Sequence, residues 1–359
     1  MTDTIHGEDQ AGLVRDGEQL PIAELQCWLK QQVPGLAGDM QVTQYSGGAS
    51  NWTYRLQFAN ADLILRRPPA GTKAKSAHDM GREYRIQKAL KSVFPLVAEM
   101  RLYCQDESVI GAEFYVMDRI AGIIPRKNMP RDISLTATQT RQLCQNALDT
   151  LIQLHQVDID QAGLSDLAKG AGYTERQVTG WCGCYAKAKT WNVPSGKGIM
   201  AWLQANMPSR ERICMTHNDF RFDNLVLDPA DPTHIIGVLD WELATLGDPL
   251  MDVGNMLAYW IQADDDPIAR STRRQPTHLP GMFSRQQVID YYCKAMNIDG
   301  RDFSFYEVFG LFRLSVIVQQ IYYRYHHGQT NNPAFKQLWF LVNYLHWRCR
   351  RLIKQSKRK

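Results

Sequence analysis

His217-Asn218-Asp219-Phe220-Arg221-Phe222-Asp223-Asn224 is the stretch on which the reading of this chain turns. By role it is H-x-D-x-R-x-x-N, and Asp240 follows at the end of the apolar run His234-Ile235-Ile236-Gly237-Val238-Leu239. A carboxylate, a cation two residues on, an amide five residues on and a second carboxylate at a strand end are what phosphoryl transfer requires. That reaction needs little covalent help; it needs a positioned hydroxyl, neutralised phosphate charge and an in-line geometry. Asp219 would orient the acceptor hydroxyl and take its proton, and Arg221 would stabilise charge on the transferring group. Asn224 and Asp240 offer oxygen ligands suited to Mg2+, a hard ion held by one or two carboxylates plus phosphates. His217 fits better as a buttress of the loop than as a group acting on substrate. A polar turn between two strands is the alternative. The order and spacing of these groups, with the last at the end of its own strand, argue against it.

At 359 residues the chain exceeds the usual span of one hydrophobic core, so two lobes are expected. Its 44% hydrophobic and 22% charged residues suit a soluble globular enzyme. Much of the small excess of +4 sits in the tail Arg348, Arg350, Arg351, Lys354, Lys357, Arg358 and Lys359. That run reads as a solvated helix end, so neither nucleic acid nor a membrane is expected as a partner. Cys27, Cys104, Cys144, Cys214, Cys293 and Cys349 sit among apolar neighbours, as reduced buried thiols do. Cys182 and Cys184 lack a second pair at zinc spacing. The acidic N-terminus has no apolar signal core and no apolar run reaches spanning length, so a cytoplasmic location is the expectation.

Outward from the loop, periodicity divides the chain. Helical spacing covers 21–33, and alternating segments cover 40–45, 52–58 and 62–67, the last two joined by the turn Ala59-Asn60-Ala61. A helix fits 78–90 and strands fit 97–103 and 113–119. This is an antiparallel sheet with one inserted helix, the size of an independent lobe at about 120 residues. After Ile120-Ala121-Gly122 helical spacing dominates, over 136–155, 174–190, 198–207, 250–262, 285–295, 303–325 and 333–353. Only 213–240 reverts to short strands. The expected fold is α+β, with a nucleotide-binding lobe over 1–118 and a helical catalytic and substrate-binding lobe over 119–359. The aromatics of the last helices, such as Phe309, Phe312, Trp339 and Tyr344, read as packing rather than as a ligand cage.

In the first lobe, Ser46-Gly47-Gly48-Ala49-Ser50-Asn51 lies between two predicted strands, where a loop could cover phosphates. Gly47 and Gly48 allow close backbone approach, and Ser50 and Asn51 can donate to phosphate oxygens. Leu63-Ile64-Leu65-Arg66-Arg67 ends in two cations that alternation sends to opposite faces; Arg66 is chosen for the cleft, with Glu83 of the next helix as its partner. Backbone groups of Val116, Met117 and Asp118, where the chain crosses between lobes, are the expected partners of an adenine edge.

Ser46-Gly47-Gly48-Ala49-Ser50-Asn51, Leu65-Arg66-Arg67-Pro68-Pro69, Arg82-Glu83-Tyr84-Arg85, His217 to Leu225 and Leu239-Asp240-Trp241-Glu242 occur in that order. Together they resemble the aminoglycoside phosphotransferase/choline kinase-like superfamily, whose catalytic loop shares its skeleton with the protein kinases. More closely they resemble its branch of kinase-like domains fused to acyl-CoA dehydrogenases in animals and free-standing in bacteria. Tyr173-Thr174-Glu175-Arg176-Gln177, Gly247-Asp248-Pro249-Leu250-Met251-Asp252 and Gln320-Ile321-Tyr322-Tyr323-Arg324-Tyr325 match that branch too. The resemblance implies a two-lobed protein-kinase-like fold, ATP as donor, Mg2+ and a small hydroxylated acceptor. It maps the base onto Asp219 and the metal ligands onto Asn224 and Asp240. Three departures stand out: Arg66 where kinases carry Lys, Asn218 where many relatives have Gly, and Asp240-Trp241-Glu242 in place of Asp-Phe-Gly. Asp248 and Asp252 are expected to order the segment after the metal site. For the acceptor, Asp264-Asp265-Asp266 could serve an aminoglycoside or amino-alcohol, whereas Arg270, Arg273 and Arg274 could meet the phosphates of a hydroxyacyl-CoA, the acceptor class associated with the closer branch. A catalytically silent nucleotide-binding scaffold is the reading from another class; the intact set Asp219, Arg221, Asn224 and Asp240 disfavours it.

Overall fold

The computed structural model describes residues 11–45, 51–69, 79–300 and 302–357. Ser46, Gly47, Gly48 and Ser50 of the candidate phosphate loop lie outside them. Helix α1 (Ile22–Gln32) precedes β1 (Gln41–Gln44), β2 (Trp52–Gln57) and β3 (Asp62–Arg67). Helix α2 (Met80–Leu90) then leads to β4 (Met100–Cys104) and β5 (Phe114–Asp118). The five strands form one antiparallel sheet in the order β1-β2-β3-β5-β4.

Alternation in the central strand β3 explains both faces. Leu63 and Leu65 join Tyr54, Leu56 and Val116 against Leu25 and Leu29 of α1. Ile64 joins Met100, Tyr115 and Met117 against Met80 of α2. The period of two therefore sends Arg66 to the α2 side and Arg67 to the α1 side. Helix α2 starts at Asp79, whose carboxylate accepts from Arg82 N–H at 2.8 Å. Its Met80, Glu83, Ile86, Gln87 and Leu90 recur at helical spacing and are buried, which carries Glu83 under the sheet.

Beyond β5 the chain crosses at Gly122, where an added Cβ would strike the Leu227 carbonyl, and Ile123 and Leu227 exchange backbone bonds of 2.9 and 2.8 Å. There follow α3 (Ala137–His155), α4 (Tyr173–Ala188) and α5 (Lys197–Ala205). Four short strands come next: β6 (Cys214–Thr216), β7 (Leu225–Leu227), β8 (Ile235–Val238) and β9 (Thr245–Gly247), paired antiparallel as β6–β9 and β7–β8. The rest is helical: α6 (Pro249–Ala258), α7 (Pro267–Thr272), α8 (Arg285–Ala295), α9 (Ser304–His326) and α10 (Leu338–Ser356). Every residue of α6 is buried. It crosses α9 backbone to backbone, since a Cβ on Gly254 would strike the Tyr306 carbonyl and one on Gly310 the Gly254 carbonyl. The expected α+β architecture, sheet first and helices after, is the observed one.

Some details depart from the sequence reading. Helix α7 forms between the predicted helices at 250–262 and 285–295, because Asp266 caps it by accepting from Ile268 and Ala269 N–H, with Pro267 at its first position. The last helix begins at Leu338 rather than 333, after a single turn capped by Asn332. All eight cysteines are free, but Cys27 is exposed rather than buried, since α1 turns Leu25 and Leu29 inward instead. Among the described residues no helix is long and apolar enough to cross a membrane.

Helix α10 turns Val342, Leu345, His346 and Cys349 inward. His346 packs 4.9 Å from the Tyr185 ring and 6.1 Å from Phe312, and neither ring nitrogen has a hydrogen-bond partner among the described residues. Burial, aided by the Arg350 charge, pushes its pKa down to about 4 from 6.5. The neutral ring therefore supports the fold fully above pH 6.5, and that support is lost as pH falls through about 4. At about 1.4 kcal/mol per pH unit the contribution is about 3 kcal/mol. Thermal denaturation between pH 7 and 4 should show wild-type Tm falling more steeply than that of His346→Phe; equal slopes would contradict this.

Candidate active site

The loop after β6 is held from below. Asp252, fully buried on α6, accepts from the N–H groups of His217 (2.7 Å) and Asn218 (2.8 Å), and its Oδ2 lies 3.1 Å from Nε2 of His155. Burial works against its charge, but hydrogen bonding and the His155 and His217 rings hold the carboxyl below its usual range. Nε2 of His217 lies 2.9 Å from the Leu239 carbonyl, which requires the proton on Nε2 and frees Nδ1 to accept from Asp219 N–H at 3.3 Å. His217 is fully buried and ties the loop to the end of β8; it does not line the cavity described below. Asp248 caps α6, accepting from Leu250 and Met251 N–H at 2.9 and 3.2 Å.

Asn218 has φ +64, a left-handed conformation that Gly reaches freely and Asn tolerates. Its side chain adds three bonds, donating to Thr216 Oγ1 (3.0 Å) and the Leu243 carbonyl (3.1 Å) and accepting from Asn255 (3.2 Å). Asn is thus a working substitute for Gly at this turn. Asn218→Gly should lose the side-chain bonds alone, whereas Asn218→Ala loses them and strains the backbone, so Ala should be the less stable by about 1 kcal/mol. Denaturant unfolding of both variants checks this ordering; Ala equal to or better than Gly would contradict it.

Past the turn, three side chains converge. Nδ2 of Asn224 donates to the Asp219 carbonyl (2.9 Å) and to its carboxylate (3.1 Å), and among the described residues Oδ1 has no partner. Arg221 lies 3.3 Å from the Asp219 carboxylate and 3.2 Å from that of Asp223, with its guanidinium 4.6 Å over the Tyr259 ring. Burial opposes its charge, yet Asp219 and Asp223 outweigh that and raise its pKa. Asp240 follows β8 at φ +65, so two of the three non-glycine residues with left-handed backbone among the described residues stand in this site. Its carboxylate is a third exposed.

Arg66 reaches across from β3. It lies 2.9 Å from Glu83, 3.0 Å from Asp240 and 3.7 Å from Glu242, and it is held charged although buried. Glu83 is fixed in turn by the Tyr115 hydroxyl at 2.7 Å. Arg67 points the other way, to the Ile110 carbonyl at 2.9 Å and over the Trp52 ring. Asn51 donates to Glu242 at 3.2 Å. A second tie joins the two halves where Arg82 donates to the Ala244 carbonyl.

These groups border one cavity of about 540 Å3, whose lining includes Arg66, Asp219, Arg221, Asn224, Asp240 and Glu242. Met117, Asp118 and Ile120 form part of its sheet side. Val116 pairs with Leu65 on one side and Leu102 on the other, is fully buried, and is not among the residues that line the cavity. The N–H of Asp118 is taken by the Glu99 carbonyl and its carboxylate by Arg101, whereas the N–H of Ile120 has no partner among the described residues. The acidic run is also displaced: Asp265 pairs with Arg285 and Asp266 caps α7, and neither borders this cavity. Arg270, Arg273 and Arg274 do not line it either; Arg273 instead binds Asn128 at 2.8 Å. Arg126 and Arg313 are the arginines on the helical side, beyond Arg221. Sequence reading gave Glu242 no role of its own, although its place two residues after Asp240 was the available signal. Arg126, Tyr259 and Arg313 carried no local signal.

A family model described as "Phosphotransferase enzyme family" matches residues 41–285. The chain belongs to the phosphotransferase enzyme family. An aminoglycoside-phosphotransferase-like protein from Ralstonia eutropha JMP134 has a solved structure that superposes with TM-score 0.79 and 27% identity, covering 94% of this chain and 99% of that one. The ethanolamine kinase of Plasmodium vivax shares the fold at TM-score 0.59 and 10% identity, covering 89% of this chain and 85% of its own. Mouse acyl-CoA dehydrogenase family member 10 is 35% identical over 305 residues, 84% of this phosphotransferase-family chain but 28% of the mouse protein. The chain thus spans well under half the length of that relative.

Proposed function

We propose that this chain is a small-molecule kinase that moves the γ-phosphoryl group of ATP, with Mg2+, to a hydroxyl of its acceptor. The observation that carries the reading is the convergence on one cavity of Asp219 and Asn224 from the loop after β6, Asp240 after β8 and Arg66 from β3. In this reading residues 1–118 are the nucleotide lobe and 119–359 the catalytic and acceptor lobe.

The residues present suit Mg2+. Asn224 spends its Nδ2 on Asp219 and keeps Oδ1, and Asp240 keeps part of its carboxylate open, so both offer hard oxygen. Among the described residues no group of three or more His, Cys, Asp or Glu could hold a metal alone, which fits an ion completed by phosphate oxygens and water. When bound, the ion would neutralise phosphate charge and hold the triphosphate in line. Asp219 aligns the acceptor hydroxyl and takes its proton, and Arg221 offers charge to the group in transfer. Arg66, steadied by Glu83, grips phosphate oxygens, and Ser46, Gly47, Gly48, Ser50 and Asn51 are the loop residues proposed to donate to them. Met117 and Ile120 flank the adenine, and the open N–H of Ile120 adds to the edge contacts expected of the backbone at Val116, Met117 and Asp118.

For the acceptor, a hydroxyacyl compound such as a hydroxyacyl-CoA is favoured over an aminoglycoside or amino-alcohol. The helical wall offers Arg126 and Arg313 beyond the catalytic set, and the acidic run that would greet a polyamine lies elsewhere. The name of the 35% identical mouse relative, an acyl-CoA dehydrogenase family member, points the same way. Incubation with γ-labelled ATP, Mg2+ and a panel of hydroxyacyl-CoAs, aminoglycosides and amino-alcohols tests this. Label should pass to the hydroxyacyl class; nucleotide binding with no transfer to any acceptor would favour the silent nucleotide-binding scaffold.

A further inference from the structure

The helical wall holds a cation that the catalytic set does not use. Arg313 projects from α9, is 4% exposed and lines the cavity. Among the described residues no carboxylate, carbonyl or hydroxyl pairs with its guanidinium; the neighbour it does have is the Trp181 ring, 5.2 Å away. A buried charge without an anion is costly, and a ring face offsets part of that cost. Arg313 is also close to the chemistry. Tyr259, whose hydroxyl burial pushes up, feels the charges of Asp219, Arg221 and Arg313 together, and Arg221 lies against the same ring. One turn along α9, Ile317 borders the same wall and supplies apolar surface beside the cation.

We propose that Arg313 binds an anionic oxygen group of the acceptor and so selects acidic hydroxylated acceptors over neutral alcohols and polyamines. The proposal rests on the kinase reading of the site. A planar guanidinium grips a carboxylate or a phosphate through paired bonds, so the anion is either the carboxylate of a free hydroxy acid or a phosphate of a carrier thioester. Arg313 is a specificity residue: it holds the acceptor, while Asp219 meets the reacting hydroxyl.

The test compares three acceptors built on one hydroxyacyl chain: the free acid, its CoA thioester and its neutral methyl ester. Wild type should use at least one anionic form with kcat/KM about 10²-fold above the ester. Arg313→Gln should erase that preference, mainly through KM, leaving KM for ATP and turnover of the ester unchanged; Arg313→Lys should restore part of it. Which anionic form loses its advantage tells carboxylate from carrier phosphate. Equal use of ester and anion by wild type, or an Arg313→Gln loss that is the same for all three, overturns the proposal, and the wild-type arm decides even if the variant misfolds. Calorimetry with Mg·ATP separates the two levels. Nucleotide binding with no charge preference removes the role of Arg313 alone, and no nucleotide binding removes the kinase reading and this proposal with it.

Discussion

Asp219→Asn should lower phosphoryl transfer by about 10³-fold while leaving Mg·ATP affinity nearly unchanged. The amide keeps the size of the carboxylate but can neither take a proton nor attract Arg221, now 3.3 Å away. Nothing in the nucleotide grip passes through Asp219 except Asn224, which also bonds its backbone carbonyl at 2.9 Å and so stays in place. Single-turnover transfer with an authentic acceptor measures the loss, and calorimetry measures the binding. A variant that transfers at near wild-type rate would remove Asp219 from the role of base.

The second large effect falls on Asp240. Asp240→Asn should abolish the gain in nucleotide affinity that Mg2+ brings, about 10²-fold or more. Asn is the informative substitution because, like Asp, it tolerates the left-handed backbone at φ +65; Ala would mix strain with lost charge. Arg66 would still be met by Glu83 at 2.9 Å, so the cleft should keep its shape. Calorimetric titration of ATP with and without Mg2+ gives the comparison. Metal-dependent binding that survives in the variant would take Asp240 out of the metal site.

What the sequence made legible follows from distance along the chain. The octet 217–224 is local, so its spacing alone placed Asp219, Arg221 and Asn224 together. Period-two alternation in β3 separated Arg66 from Arg67 before any partner was known, because it depends on neighbouring residues only. Helix and strand types were readable for the same reason. The contacts that close the cleft were not. Arg66 meets Asp240 across 174 positions and Asn51 meets Glu242 across 191, and nothing in either segment announces the other. Order in the chain located the crossing strand but not that Val116 within it is enclosed on both sides. Asp264, Asp265 and Asp266 could be offered to a polyamine because charge shows in a sequence, while the Arg285 and helix terminus that engage Asp265 and Asp266 do not. Arg313 was silent for the converse reason: an arginine in a long amphipathic helix looks solvated until the helix is packed.

The most direct test is a crystal structure with a non-hydrolysable ATP analogue and Mg2+. The metal should sit between Oδ1 of Asn224 and the carboxylate of Asp240, with the γ-phosphate facing Asp219 and Arg66 on the phosphate chain. A nucleotide bound outside this cavity, or a metal held without either residue, would contradict the account.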